Sequence, residues 1–372
     1  MLPIAYMCIA FSGTFLSYTI LRFNRIFKFT RLILGQIFCI LLILVLIRFS
    51  LVFFSTKWEY FILPVFYETL FILGSILLAS ISAHFLTVNQ NERLLGIIIS
   101  GKFVAEIISG ILIKYYVTWI GVKNFFIIAA VFTFLYFIVV GIAFQTFKRP
   151  KDEAEFQQKE KREISLLSVL KNRYYRLIIF FSLFFIISFF FIENAFYGQV
   201  ALNFIAQDEM AGFLGQFASV SSFITLLFLV FITGNVLNRF GLLTGLLIFP
   251  ALLFVTIVLV EVSGRLPGLY SYIFWFTALT QLAKEVLNYS FNHPTRIILF
   301  RVIPISKRYS LQTISYGLVD PLFCAIAGII LFILMTVYGI GSVNLLLILI
   351  PVLILWMGLM ILIYKEYKAL SS

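Results

Sequence analysis

The chain has 372 residues, 62% of them hydrophobic and 12% charged, with a mean hydropathy of +1.08 and a formal net charge of +12. Soluble domains are roughly half apolar and about a quarter charged, so that class is excluded. The apolar residues come in runs of about 20, enough to cross a bilayer as a helix. Backbone groups in lipid must bond internally, which leaves helices or closed barrels, and continuous rather than alternating runs point to helices.

Eleven helices are predicted in chain order, over 2–21, 32–55, 60–87, 94–114, 122–145, 176–203, 212–235, 241–261, 268–290, 311–337 and 342–364. The first begins almost at Met1, with no basic leader and no cleavage site, so it reads as a span rather than a signal peptide. Alternate connections differ sharply in charge. One set comprises 22–31, 88–93, 146–176, 236–240, 291–310 and the C-terminal tail, and carries 21 Lys and Arg. The other carries four: Lys57, Lys114, Lys123 and Arg265. By the positive-inside rule the first set is cytoplasmic, the C-terminus included. The positive balance is therefore one of topology, and no nucleic-acid partner is expected. The expected location is a bacterial inner membrane, crossed many times.

The longest polar stretch, 147–175, divides the chain into bundles of five helices (1–146) and six (176–372). Its first half is of mixed sign. Its second half sets Ile164, Leu167, Val169 and Leu170 among basic residues and suits a membrane surface. The short basic connections LRFNRIFKFTRLILG and VLNRFGLLTGLLI occupy equivalent places in the two halves. Pairing them aligns 2–21 with 212–235, 32–55 with 241–261, 60–87 with 268–290, 94–114 with 311–337, and 122–145 with 342–364. Helix 176–203 is left without a mate, as if a first helix before Met1 were missing. Two six-helix halves joined by a cytoplasmic linker form a parallel-repeat transporter architecture.

Eight ionisable residues lie inside the predicted spans, where charge is costly and ordinarily faces a bundle interior or a wet cavity. Arg48 lies near the outer end of its helix and reads as snorkelling to the interface. Glu68, on 60–87, has no neutralising neighbour in sequence. Lys102 and Glu106 are four apart on 94–114, which puts them on one face. Small residues on that helix (Gly101, Ala105, Ser109, Gly110) predict close packing against a neighbour. Glu193 opens a polar run, ENAFYGQ, that suits either a cavity lining or an outer-end surface. Lys284 and Glu285 are adjacent and point about 100° apart, and Gln281 and Asn288 extend their polar stripe. Asp320 precedes Pro321 near the middle of its helix; the proline frees a carbonyl one turn earlier and disfavours α geometry at Asp320. Ion-pair or kink roles remain open for Lys102, Glu106 and Asp320.

Cys8, Cys39 and Cys324 show no metal spacing, and His84 and His293 are too few and too far apart for an ordinary metal site. No cofactor is expected. No HExxH, Gly-rich phosphate loop or serine-nucleophile context argues for an enzyme.

The layout resembles the major facilitator architecture, in which the fourth, seventh and tenth of twelve helices line the cavity. With one helix absent, these correspond to 60–87, 176–203 and 268–290, the helices that carry Glu68, Glu193, Lys284 and Glu285. A lysine–glutamate helix end, then NHPTRIILFRVIPISKRYSLQ, then GLVDPLFCAIAG, is similar to the ATP/ADP translocase family and its bacterial relatives. NERLLGIIISGKFVAEIISGILI also resembles a segment of that family. Where the family has an acidic residue in the connecting loop, this chain has Asn292 or His293. The resemblance implies an all-α polytopic secondary transporter working by alternating access, moving or exchanging a nucleotide or other organic anion. Its expected path holds Glu68, Lys102, Glu106, Glu193, Lys284, Glu285 and Asp320. Carboxylates outnumber cations within the spans, which fits proton coupling or a cationic substrate equally well. The alternative is a transport-inactive membrane scaffold or sensor derived from a transporter.

Overall fold

A computed structural model describes residues 2–23, 29–53, 57–85, 88–147, 171–266, 268–304, 311–312 and 314–371. The fold is all-helical, as the apolar runs require. The helices are α1 (Leu2–Phe23), α2 (Phe29–Phe53), α3 (Lys57–Phe85), α4 (Val88–Ile120), α5 (Phe125–Thr146), α6 (Arg173–Asn203), α7 (Gln207–Leu227), α8 (Gly234–Arg265), α9 (Ile273–Leu287), α10 (His293–Arg301), α11 (Asp320–Phe332) and α12 (Leu345–Ser371). Among the described residues, seven stretches are long and apolar enough to cross a membrane, and one of them, Gln207–Arg265, runs to 59 residues. That stretch turns at Gly241, whose φ of +79° suits glycine alone, so the predicted loop at 236–240 is helix almost to the turn. The second half of the predicted linker, with its surface segment, lies largely outside the described residues.

The chain forms two compact units. Unit 1 comprises Met1–Gly101 and Tyr115–Lys161, and unit 2 comprises Lys102–Lys114 and Arg162–Ser372. In unit 1, α1 packs on α3, and α2 packs on both α5 and α3. Its core joins Ile33, Ile37, Leu77 and Val140, flanked by Phe29 and Phe144. His84 stacks on Phe29 at 4.7 Å between ring centroids. In unit 2, α7 packs on α9, and α8 packs on both α12 and α9. The three helix pairs of unit 1 thus recur in unit 2 at the positions the sequence repeat aligns. The unmated α6 is the hub of unit 2 and contacts α9, α11 and α12. Its Phe181 and Phe185, with Phe249 of α8, pack against Trp356 of α12, which is fully buried.

Two π-helical turns interrupt unit 2 next to the charges. One spans Asn288–Asn292 and the other Ser315–Val319, and each ends just before a residue–proline step, His293–Pro294 and Asp320–Pro321. Proline cannot donate to the carbonyl four residues back, here Ser290 and Gly317, both inside the π turns. The wider π turn takes up that lost bond one turn early. Two expectations are corrected by this. Asp320 has φ −61° and ψ −47°, ordinary α geometry, because the slack is absorbed ahead of it. The predicted loop 291–310 is helical as far as Arg301, because Pro294 begins a new α segment instead of ending the old one.

Candidate functional site

The helical run from Ile273 to Arg301 takes part in three charged contacts in unit 2. The first is at Lys284, which is fully buried. Its Nζ lies 3.0 Å from Glu285 Oε1, off hydrogen-bond directions, and makes no hydrogen bond. The ammonium sits 3.5 Å from the centre of the Phe189 ring of α6, a cation–π contact in a dry setting. Glu285 is less buried and accepts from Gln281 Nε2 at 3.2 Å. The adjacent pair that helical geometry splays apart is joined because the lysine stem bends back.

The second contact is at Tyr289, within the π turn. Lys102 Nζ donates to its hydroxyl at 2.7 Å and lies 4.1 Å from its ring centre. The predicted Lys102–Glu106 pair forms at 3.5 Å, and Ser222 of α7 donates to the other carboxylate oxygen at 2.6 Å. Close packing places them. A methyl group at Gly110 would overlap the carbonyl of Gly215, so α4 and α7 touch backbone to backbone there, as its small residues foretold.

The third contact is at Arg296, which the sequence reading assigned to a cytoplasmic loop. It is buried, and its two terminal nitrogens donate to Asp320 at 2.9 and 3.0 Å. One of them also donates to Ser182 of α6 at 2.7 Å. The guanidinium lies 4.2 Å from the centre of the Tyr316 ring. The bidentate form gives orientation as well as energy.

The π turn explains why Lys284 and Arg296 both meet α6. Twelve residues along a regular helix leave two side chains about 120° apart. A π turn absorbs one extra residue, and eleven regular steps leave them about 20° apart. Their partners on α6, Phe189 and Ser182, are seven residues apart and so share a face. The signal for Arg296 was in the sequence: a helix-compatible run after His293–Pro294, with an acid 24 residues on. It was masked by the reading of 291–310 as a basic cytoplasmic connection.

The remaining expected residues are placed less fully. Glu193 is half-buried on α6 beside buried Asn194, whose amide donates to Met335 Sδ at 3.3 Å. Glu68 is on α3, and its side chain lies outside the described residues. Arg48 does not simply snorkel: it donates to Asn124 Oδ1 at 2.7 Å in unit 1.

A family model described as "TLC ATP/ADP transporter" matches residues 7–262. A 65-residue segment is 34% identical to "ADP,ATP carrier protein 1" of Chlamydia muridarum (strain MoPn / Nigg); it covers 18% of this chain and 12% of that protein's length. Among solved structures, the chain is similar to the nucleoside transporter NupG with a TM-score of 0.59 and 12% identity, over 100% of this chain and 90% of that one. It is similar to a bacterial metal transporter with a TM-score of 0.58 and 12% identity, over 97% and 88% of the two chains. At such identities these two likenesses speak to the fold.

Proposed function

Since the chain belongs to the TLC ATP/ADP transporter family, we propose that it is a secondary carrier working by alternating access, which moves or exchanges a nucleotide or another organic anion. That it is a multi-pass membrane protein of a transporter family follows from the match and the helices. The inner membrane of a bacterium and a cytoplasmic C-terminus are the proposed setting, supported by the basic connections. The proposed division is an N-terminal bundle, a linker over 147–175 and a C-terminal bundle. The proposed path holds Glu68, Lys102, Glu106, Glu193, Lys284, Glu285 and Asp320, with Tyr289 and Arg296 added.

The observation that carries this reading is Lys284. A fully buried ammonium with no hydrogen bond and one off-axis carboxylate is a poor way to stabilise a bundle. Burying charge costs more than such a contact returns. A group kept at that cost suits a site where an anion completes its coordination. The exposed side of the pair is Glu285, so a proton reaching that carboxylate would release Lys284, whereas an anion would compete with it for the ammonium. Exchange and proton coupling are both compatible with this geometry.

Uptake and counter-exchange of labelled nucleotides by the full chain in proteoliposomes test the reading. Saturable uptake, stimulated by unlabelled nucleotide inside and lost in Lys284→Met, is expected. Well-folded protein that moves no nucleotide or organic anion would sink it. A second reading, a transport-inactive scaffold or sensor, is favoured by one feature: Lys102, Lys284 and Arg296 are each already faced by a carboxylate. That result would leave it standing.

A further inference from the structure

Arg48 carries a charge that the described residues do not neutralise. It lies within the apolar span α2 and makes one hydrogen bond, to the neutral Asn124. Its Nε is buried without a partner. No described carboxylate forms an ion pair with it. Asn124 cannot compensate, because its own amide is committed to the carbonyl of Ile120 at 2.6 Å. Lys123 adds a second cation at the same end and, among the described residues, donates to the carbonyl of Leu51 at 3.0 Å.

Arg48 borders a lateral groove of about 400 Å³ between α2 and α5, walled by Val45, Phe49, Val52, Phe53 and Ile127. All five of these apolar side chains are exposed. Apolar side chains so exposed on a membrane-spanning helix suit contact with lipid. The internal repeat supplies a comparison. The equivalent groove of unit 2, between α8 and α12, has about 390 Å³ and is bordered by Glu261, Arg265 and Asn344. There the cation is answered from within, since Arg265 lies 3.6 Å from Glu261. Of two grooves in equivalent places, one closes its own charge and the other leaves an arginine without a described counter-charge.

We propose that the α2–α5 groove binds an anionic phospholipid of the surrounding bilayer. The headgroup phosphate sits at Arg48, with Lys123 further out at the same end, and an acyl chain runs inward along Val45 and Ile127. Guanidinium suits phosphate because its planar fork meets two oxygens at once. The apolar wall selects a lipid over a free ion, because only a lipid covers it.

Native mass spectrometry of the delipidated full chain, titrated with phosphatidylglycerol or phosphatidylethanolamine, tests this. One retained phosphatidylglycerol is expected, with a preference of about tenfold over phosphatidylethanolamine, unmoved by inorganic phosphate. The double variant Arg48→Gln/Lys123→Gln loses the preference. Glu261→Gln/Arg265→Gln, in the other groove, keeps it. Ile127→Trp, which fills the groove and leaves both cations, weakens binding of either lipid and decides the matter if the charge variant does not fold. Equal binding of the two lipids by the unaltered chain, displacement by phosphate, or unchanged binding in Ile127→Trp overturns the proposal.

Discussion

Arg296 and Asp320 are joined by two parallel hydrogen bonds of 2.9 and 3.0 Å, and the pair ties α10 to α11 across a connection of eighteen residues. Ser182 adds a further acceptor from α6. Three helices of unit 2 therefore meet at one guanidinium. Breaking such a pair from one side strands a buried charge and costs about 3–5 kcal/mol, whereas replacing both partners with apolar residues is often neutral. Asp320→Ala is expected to lower the melting temperature in detergent sharply, and Arg296→Met/Asp320→Leu to recover most of the loss. A single variant as stable as the parent would remove the pair from the fold's supports.

Lys284 should behave in the opposite way. Its carboxylate partner is partly exposed and can turn to water when the ammonium is removed. Lys284→Met is therefore expected to leave stability unchanged to within about 1 kcal/mol while abolishing uptake. Melting curves and transport assays on one preparation check both halves. Loss of stability with uptake retained would make Lys284 a structural cation only.

Tyr289 offers Lys102 two things, a hydroxyl at 2.7 Å and a ring face at 4.1 Å. Tyr289→Phe removes the first and keeps the second, at a cost of about 1 kcal/mol. Tyr289→Leu removes both. A graded rise in KM for uptake, larger for Leu than for Phe, is expected. Equal effects would mean that the ring contact does not matter.

Gly110 and Gly101 provide a matched contrast on α4. A methyl group at Gly110 meets the Gly215 backbone, which cannot yield without moving α7, whereas one at Gly101 meets open space. Gly110→Ala is expected to cost about 1–3 kcal/mol by overpacking. Gly101→Ala should be neutral or slightly stabilising through helix propensity, by up to about 1 kcal/mol. Thermal unfolding of the two variants side by side measures the difference.

Much of this was written in local pattern. Runs of apolar residues fix helices because lipid offers no other partner for the backbone. The i, i+4 spacing of Lys102 and Glu106 fixes their pairing, since both side chains leave the helix on one face. The small residues around Gly110 announced a close approach. The equivalent basic connections announced a repeat, and the recurrence of the same packed helix pairs in the two units bears it out. Arg296 was hidden, because a basic residue shortly after Asn–His–Pro reads as loop. The one local sign that the helix restarts at that proline is the short helix-compatible run after it.

The sequence by itself determined the class, the helices and which residues carry charge into them, because hydrophobic length and backbone hydrogen bonding act over one or two turns. Only the tertiary structure decided which charges meet. One π turn, at Asn288–Asn292 ahead of Pro294, resets the helical phase so that Lys284 and Arg296 turn to the same face of α6. The partners of those two cations, Phe189, Ser182 and Asp320, are supplied by helices between 24 and 114 residues away in sequence. That pairing depends on where those helices pack, which no local spacing encodes.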